Sequence, residues 1–218
     1  MSSSKRTATT PGEALAVVAV CFGLPILLSL HSVLAGLRVD ANSFSDAGML
    51  SLVGYELVLA LVAVTLLRRR GYDIASLRPR PTWIDSGLGV LLALAAGVAA
   101  MVAMAPLRGS LAEKSVSEMM QHATVSPPTL LLAAIVNGSF EEVFLLAFLM
   151  RGLRDRGLSF SLGVMLLVRL SYHLYQGPSG ALSVLGVGLV FGLFYARTQR
   201  LWPVVFAHMM WDVIPFLT

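Results

Sequence analysis

The sequence predicts an all-α protein, a polytopic membrane bundle of about seven transmembrane helices. The chain of 218 residues is 56% hydrophobic and only 13% charged, whereas ordinary soluble domains are about 25% charged. A single water-soluble core of this size has no room for so much apolar surface. Moreover, the basic residues stand at the ends of long apolar runs, as they do in proteins that cross a bilayer. The lipid bilayer is therefore the expected solvent of this chain.

Seven apolar runs approach the roughly 20 residues that a helix needs to cross the hydrocarbon layer. They lie at about 14–36, 51–67, 87–106, 128–150, 158–176, 180–197 and 201–217, and the last is the shortest. We expect residues 1–12 to form a disordered cytoplasmic tail and residues 13–218 to form a single transmembrane domain. Between the third and fourth runs, the stretch 107–126 has the pattern of an amphipathic helix on the outer membrane surface.

The Lys and Arg residues predict the orientation of these segments. A cytoplasmic N-terminus leaves only Arg38, Arg108 and Lys114 in the outer loops. The inner side then collects the basic residues at segment ends, which are Lys5, Arg6, Arg68, Arg69, Arg70, Arg78, Arg80, Arg151, Arg154, Arg156, Arg197 and Arg200. Because this bias sets membrane topology, it explains the net charge of +4 without a nucleic-acid partner. We expect an integral protein of a bacterial inner (plasma) membrane.

Ionisable residues inside three of the apolar runs are the candidates for function. Each such group at a helix centre costs roughly 2.5–3.5 kcal/mol on insertion. The cost falls if the groups face one another across a polar cavity between the C-terminal helices. Residues four apart share a helix face, and two of the three pairs named next have this spacing. The six residues are Glu141 and Glu142, Arg169 and His173, and His208 and Asp212.

A carboxylate together with two histidines has recognised chemical uses. The carboxylate can take a proton from water, and a histidine can orient that water or donate to a developing oxyanion. Glu141, His173 and His208 also make a common catalytic zinc set, although the HExxH spacing is absent. The same residues are compatible with two non-proteolytic roles, a membrane peptide-binding or immunity protein and a proton-coupled transporter.

Three short motifs resemble those of the CPBP intramembrane proteases (CAAX proteases and bacteriocin-processing enzymes, also called the Abi family). That family has a Glu-Glu-x-x-x-Arg helix, then Phe-x-x-x-His, then His-x-x-x-Asn or Asp. The corresponding stretches here are "EEVFLL", "RLSYH" and "HMMWD", in the same order. The resemblance covers about residues 128–212, which become the expected catalytic core.

The resemblance implies an endopeptidase that acts on a membrane-associated protein or peptide without a cofactor. It makes Glu141 the general base, with help from His173. His208 and Asp212 take the place of the family's oxyanion-stabilising His and Asn. Eukaryotic relatives cut after a prenylated cysteine, and bacterial relatives have been linked to peptide maturation, self-immunity and protein sorting.

The chain departs from the family pattern in the first two motifs, and in the third motif it has Asp where the pattern allows Asn or Asp. Leu146 and Ala147 stand where the first motif has Arg and Gly, and Arg169 stands where the second motif has Phe. We hypothesise that Arg169 supplies the cation that the first motif lacks and so holds Glu142. Asp212 replaces Asn, and because an ionised Asp cannot donate a hydrogen bond, it is expected to orient His208 instead.

Overall fold

The structure is a computed structural model that describes residues 6–37, 44–107 and 123–216. Within these ranges the regular structure is helical. The α-helices are α1 (Pro11–Leu34), α2 (Asp46–Arg69), α3 (Trp83–Met104), α4 (Pro127–Glu142), α5 (Leu158–His173), α6 (Gly177–Thr198) and α7 (Trp202–Val213). Most of the predicted amphipathic stretch 107–126 lies outside the described residues, as do Lys5, Arg38, Arg108 and Lys114.

The helices confirm an all-α integral membrane protein but not the predicted count of seven membrane spans. Among the described residues, five stretches are long and apolar enough to cross a membrane: Pro11–Leu34, Asp46–Arg69, Trp83–Leu107, Pro127–Met150 and Leu158–Thr198. The last stretch contains both α5 and α6. Helix α7 has 12 residues and so measures about 18 Å, which is short of the roughly 30 Å hydrocarbon layer.

Helix α4 occupies the centre of the bundle. It packs against α2 and α7, while α3 packs against α6 and α7, and α1 packs against α5. In the span that contains α4, 61% of the most apolar 18-residue stretch is buried, whereas the corresponding share in the three preceding spans is 22–28%. The leucines exposed on those outer helices, such as Leu34 and Leu61, therefore face lipid.

The helical run of α4 continues as a π-helix over Val143–Met150. Every residue from Phe144 to Met150 is buried in this segment. The change from α to π geometry comes directly after Glu142, and π-helical turns often occur at functional sites. The most deeply buried part of the chain thus adjoins the two candidate carboxylates.

Hydrogen bonds and ion pairs close one end of the bundle. The backbone N–H of Thr9 donates to the carbonyl of Gly152 at 3.3 Å. Arg151 donates to the carbonyl oxygen of Ser76 at 2.9 Å and to its hydroxyl at 2.7 Å. Arg200 forms an ion pair with Asp85. The described basic residues at helix ends gather here, so this basic end corresponds to the side that the sequence predicts to be cytoplasmic.

The N-terminal segment joins the basic end as well. Thr10 caps α1, which begins at Pro11, and its hydroxyl accepts a hydrogen bond from the backbone N–H of Glu13. Arg6 forms an ion pair with Glu13 and pairs through its backbone with the segment around Tyr72. The predicted tail of residues 1–12 therefore includes a docked portion from residue 6 onward, whereas residues 1–5 lie outside the described chain.

Candidate active site

A cavity of about 760 Å³ lies inside the bundle, and all seven helices contribute to its wall. Its lining is largely apolar toward the end opposite the basic end, where Phe44, Leu107 and Phe216 stand. The polar part of the wall lies deeper. There the cavity brings together five of the predicted site residues, which are Glu141, Arg169, His173, His208 and Asp212.

Glu142 lies behind this wall and has no exposed surface. Its Oε1 accepts a hydrogen bond from Arg169 Nη2 at 2.5 Å and another from His208 Nδ1 at 2.6 Å. The side chain of Arg169 is 3% exposed, so this is a buried ion pair between α4 and α5. The hypothesis that Arg169 replaces the motif arginine requires this contact. Leu146, at the position of the motif arginine, is fully buried and uncharged.

Glu141 is the carboxylate that reaches the cavity. Its Oε2 accepts a hydrogen bond from the hydroxyl of Tyr172, and His208 Nε2 lies 3.9 Å from the same oxygen. Tyr172 is held in place by stacking on Phe22, with ring centroids 5.1 Å apart. Tyr172 thus holds one oxygen of Glu141 as a neutral donor. Among the described residues, no cation lies as close to Glu141 as Arg169 lies to Glu142.

His208 links the two glutamates to Asp212. While Nδ1 donates to Glu142, the opposite nitrogen, Nε2, lies 3.5 Å from Asp212 Oδ1. Asp212 in turn accepts a hydrogen bond from Asn137 Nδ2 on its other oxygen, at 3.0 Å. Because carboxylates flank both ring nitrogens, the protonated form of His208 is the one that all of these contacts favour.

Asn137 is a site residue that the sequence reasoning missed. It lines the cavity and precedes Glu141 by four residues, so the two side chains share one face of α4. In the stretch "NGSFEE" the asparagine stands outside the family motif, which begins at the first glutamate. Its spacing of four from Glu141 was the only sign that the two side chains share a helix face.

His173 also lines the cavity. Its Nδ1 donates to the backbone carbonyl of Arg169 at 2.9 Å, because a carbonyl oxygen can only accept. In the neutral ring, Nε2 is therefore an acceptor. The ring also packs beside Tyr172, with centroids 4.4 Å apart.

The potential metal ligands differ from the predicted set. Among the described residues, Glu141, Glu142 and His208 each place one ligand atom within 4.8 Å of the others. The predicted set had His173 in the position of Glu142, and those three residues do not form such a group. The His173 ring is held instead by its contact with the backbone carbonyl of Arg169.

Glu56 of α2 is a second cavity residue that the motifs did not indicate. It is 4% exposed, it lines the cavity, and its Oε2 is buried without a hydrogen-bond partner. A single carboxylate in an otherwise apolar membrane segment is itself a functional signal. The sequence contained that signal, but no motif connected it with the C-terminal helices.

Residues 123–214 match the family model described as type II CAAX prenyl endopeptidase Rce1-like. No curated protein matches the chain, nor does any solved structure. The matched segment is somewhat less than half of the chain and contains α4 to α7, with every predicted site residue. The Rce1-like model belongs to the CPBP family, which confirms the resemblance seen in the three motifs and indicates a protease acting on a membrane-associated protein. The C-terminal core of this chain is therefore similar to the CPBP intramembrane proteases.

Proposed function

We propose that this protein is an intramembrane endopeptidase in which Glu141 activates water to hydrolyse a peptide bond. The observation that carries the proposal is the division of labour between the two glutamates. Glu142 is fully buried between Arg169 and His208, whereas Glu141 faces a large cavity. One carboxylate therefore holds the site together, and its neighbour remains available to a water molecule and a substrate.

In the proposed first step, Glu141 takes a proton from water while the water oxygen adds to the peptide carbonyl carbon. Tyr172 orients the Glu141 carboxylate through its hydroxyl. The free Nε2 of His173 can accept a hydrogen bond from the same water and so aim it. The proton held by Glu141 then passes to the leaving nitrogen as the C–N bond breaks.

The carbonyl oxygen becomes negatively charged in this step and needs a donor. His208 fits that role because its Nδ1 is fixed to Glu142 and its Nε2 points toward the cavity side of the site. Asp212 lies beside Nε2 and favours the protonated ring. The amide of Asn137 has a second N–H, beyond the one bonded to Asp212, and that N–H is a further donor for the oxyanion.

A metal-dependent form of the same reaction is the second candidate. Two carboxylates and one histidine are suitable ligands for zinc, and Glu141, Glu142 and His208 lie close enough together. Against this form, Glu142 Oε1 and His208 Nδ1 are already bonded to each other, and Arg169 already neutralises Glu142. These contacts favour catalysis by glutamate alone. Metal analysis and chelation of the purified enzyme separate the two forms.

The proposed setting is a bacterial inner membrane with the N-terminus in the cytoplasm. The basic end supports this orientation, since Arg151 and Arg200 lie there. The substrate is then a membrane-associated protein or peptide whose scissile bond enters the cavity from the opposite side. A peptide-binding or immunity protein that keeps the fold without the reaction is the alternative outcome.

The test compares cells that carry the wild-type protein with cells that carry Glu141→Gln, using mass spectrometry of protein N- and C-termini. Gln nearly preserves the shape of Glu while removing the base. Glu13→Gln is a matched control, because Glu13 is buried but lies at the basic end, outside the cavity. Termini present with the wild type and the control but absent with Glu141→Gln support the proposal. Equal termini from all three well-inserted proteins contradict it.

A further inference from the structure

Glu56 is a buried acidic side chain that the proposed reaction does not use. It is 4% exposed, its Oε2 lacks a hydrogen-bond partner, and no ion pair reaches it within the described part of the chain. Leaving a buried carboxylate unpaired is costly in a membrane interior. A ligand that supplies the missing partner inside the cavity would remove that cost.

The charges around the cavity favour a cationic partner. Glu56, Glu141 and Asp212 all line the cavity. Arg169 in the wall and Glu142 behind it neutralise each other. Even with His208 protonated, the acidic groups that line the cavity outnumber the cations left to balance them.

The shape of the wall leading to Glu56 indicates the kind of cation. Met49, Leu52 and Glu56 stand at positions i, i+3 and i+7 of α2, so they form one stripe on the same face, and all three line the cavity. The stripe is about 10 Å long. An apolar track that ends in a carboxylate matches the side chains of lysine and arginine, which have an aliphatic stem and a charged head.

We infer that Glu56 binds a lysine or arginine side chain of the substrate and so selects peptide bonds close to a basic residue. This inference rests on the proposed function. In the bound state the basic stem lies along Met49 and Leu52, and its head reaches the carboxylate of Glu56, which lines the cavity. Glu56 acts in this way as a specificity residue and takes no part in the bond-breaking step.

The test extends the comparison of protein termini to Glu56→Gln, with Tyr55→Phe as the matched control. Tyr55 lines the same cavity on the neighbouring position of α2, and Tyr55→Phe removes a polar atom without changing the charge. We expect wild-type and Tyr55→Phe cleavages to show Lys or Arg at a fixed offset from the cut bond. With Glu56→Gln that preference should disappear while cleavage continues.

A pair of synthetic peptides then measures the effect. Both carry one cleavage sequence found with the wild type, with lysine in one and norleucine in the other at the basic position. We expect the wild-type kcat/KM to favour lysine by about tenfold or more, as for a hydrogen bond between charged groups, and Glu56→Gln to show no preference. Because Glu56 loses no partner on substitution, the apparent unfolding temperature should not fall.

The outcomes separate the two proposals. If Glu141→Gln changes no termini, the proposed function itself fails. If cleavage depends on Glu141 but shows no basic preference, or keeps that preference in Glu56→Gln, only the inference about Glu56 is overturned. Cuts at a fixed distance from free N-termini would also overturn it, because they would assign the cation to an amino terminus. A lower unfolding temperature in Glu56→Gln would show that Glu56 has a structural partner and would overturn it too.

Discussion

Replacing Arg169 with Phe, the residue that the related motif has at this position, should destabilise the protein strongly. The ion pair between Arg169 and Glu142 is buried, with side chains 3% and 0% exposed. Removing one partner of such a pair typically costs about 3–5 kcal/mol, because the other charge is left uncompensated. His208 still donates to Glu142 at 2.6 Å, so we place the cost near the lower end, at about 3 kcal/mol.

A double-mutant cycle isolates the part of this cost that comes from the charge on Glu142. In the pair Glu142→Gln and Arg169→Phe, no uncompensated charge remains. The double variant should therefore lose less stability than the sum of the two single variants, by about 1–3 kcal/mol. The measurement is thermal unfolding of the purified, detergent-solubilised proteins. Additive effects would refute the idea that the two charges depend on each other.

The double substitution Leu146→Arg with Arg169→Phe tests whether an arginine at the motif position can replace Arg169. Leu146→Arg alone adds an unpaired cation to a fully buried position and should be severely destabilising. Combined with Arg169→Phe, it should keep more activity than Arg169→Phe alone. Leu146→Met controls for the change of side chain, since such swaps usually cost less than about 1.5 kcal/mol. If the double swap rescues nothing, Arg169 does not substitute for the motif arginine.

Three further substitutions test individual contacts. Tyr172→Phe removes the donor to Glu141 and should lower kcat by about tenfold with normal membrane insertion; unchanged kcat would show that Glu141 needs no such orientation. Asp212→Asn introduces the other residue that the family motif has at this position and should retain activity within about tenfold, whereas Asp212→Leu should lose it, as measured by cleavage of the identified substrate. Gly186→Ala places a Cβ 2.8 Å from a backbone oxygen of α3 and should cost about 1–3 kcal/mol, while Gly163→Ala, with open space around it, should not reduce the unfolding temperature.

Hydropathy was sufficient to predict the helices because a lipid-exposed backbone must satisfy its own hydrogen bonds. Each of the seven predicted runs overlaps one observed α-helix, and their apolar character gives the class of the fold directly. The number of spans could not be obtained in this way. Helix α7 is apolar but short, and the junction of α5 and α6 contains Gly177 at a φ of 73°, which hydropathy does not register.

The motifs predicted most of the candidate site, because charged residues buried in a membrane are stabilised when they contact one another. The contact between Arg169 and Glu142 could be predicted in this way. Because Leu146 stands where the motif has arginine, Glu142 needs a cation from another helix. The position of His173 did not follow. Its spacing of four from Arg169 put both on one face of α5, but the ring Nδ1 bonds the backbone carbonyl of Arg169. His173 is not among the grouped potential metal ligands of the described residues.

Glu56 and Asn137 remained undetected for a different reason. Glu56 has no motif residue beside it in α2, and the spacing of Asn137 from Glu141 does not reveal what Asn137 contacts. Their significance appears only when α2, α4 and α7 are packed together around one cavity. Single sequences record short-range spacing well, whereas a contact between Asn137 and Asp212, 75 residues apart, depends on the tertiary structure.

The two ends of the bundle differ, and the difference predicts from which side the site is reached. The basic end is closed by contacts such as those of Arg151 and Arg200, whereas the cavity extends toward the turn that contains Gln176. With Cys21 replaced by Ala, Gln176→Cys should react in intact cells with a membrane-impermeant thiol reagent. Arg200→Cys should react only after the membrane is permeabilised. The reverse pattern would place the cavity on the cytoplasmic side and require the substrate bond to be presented there.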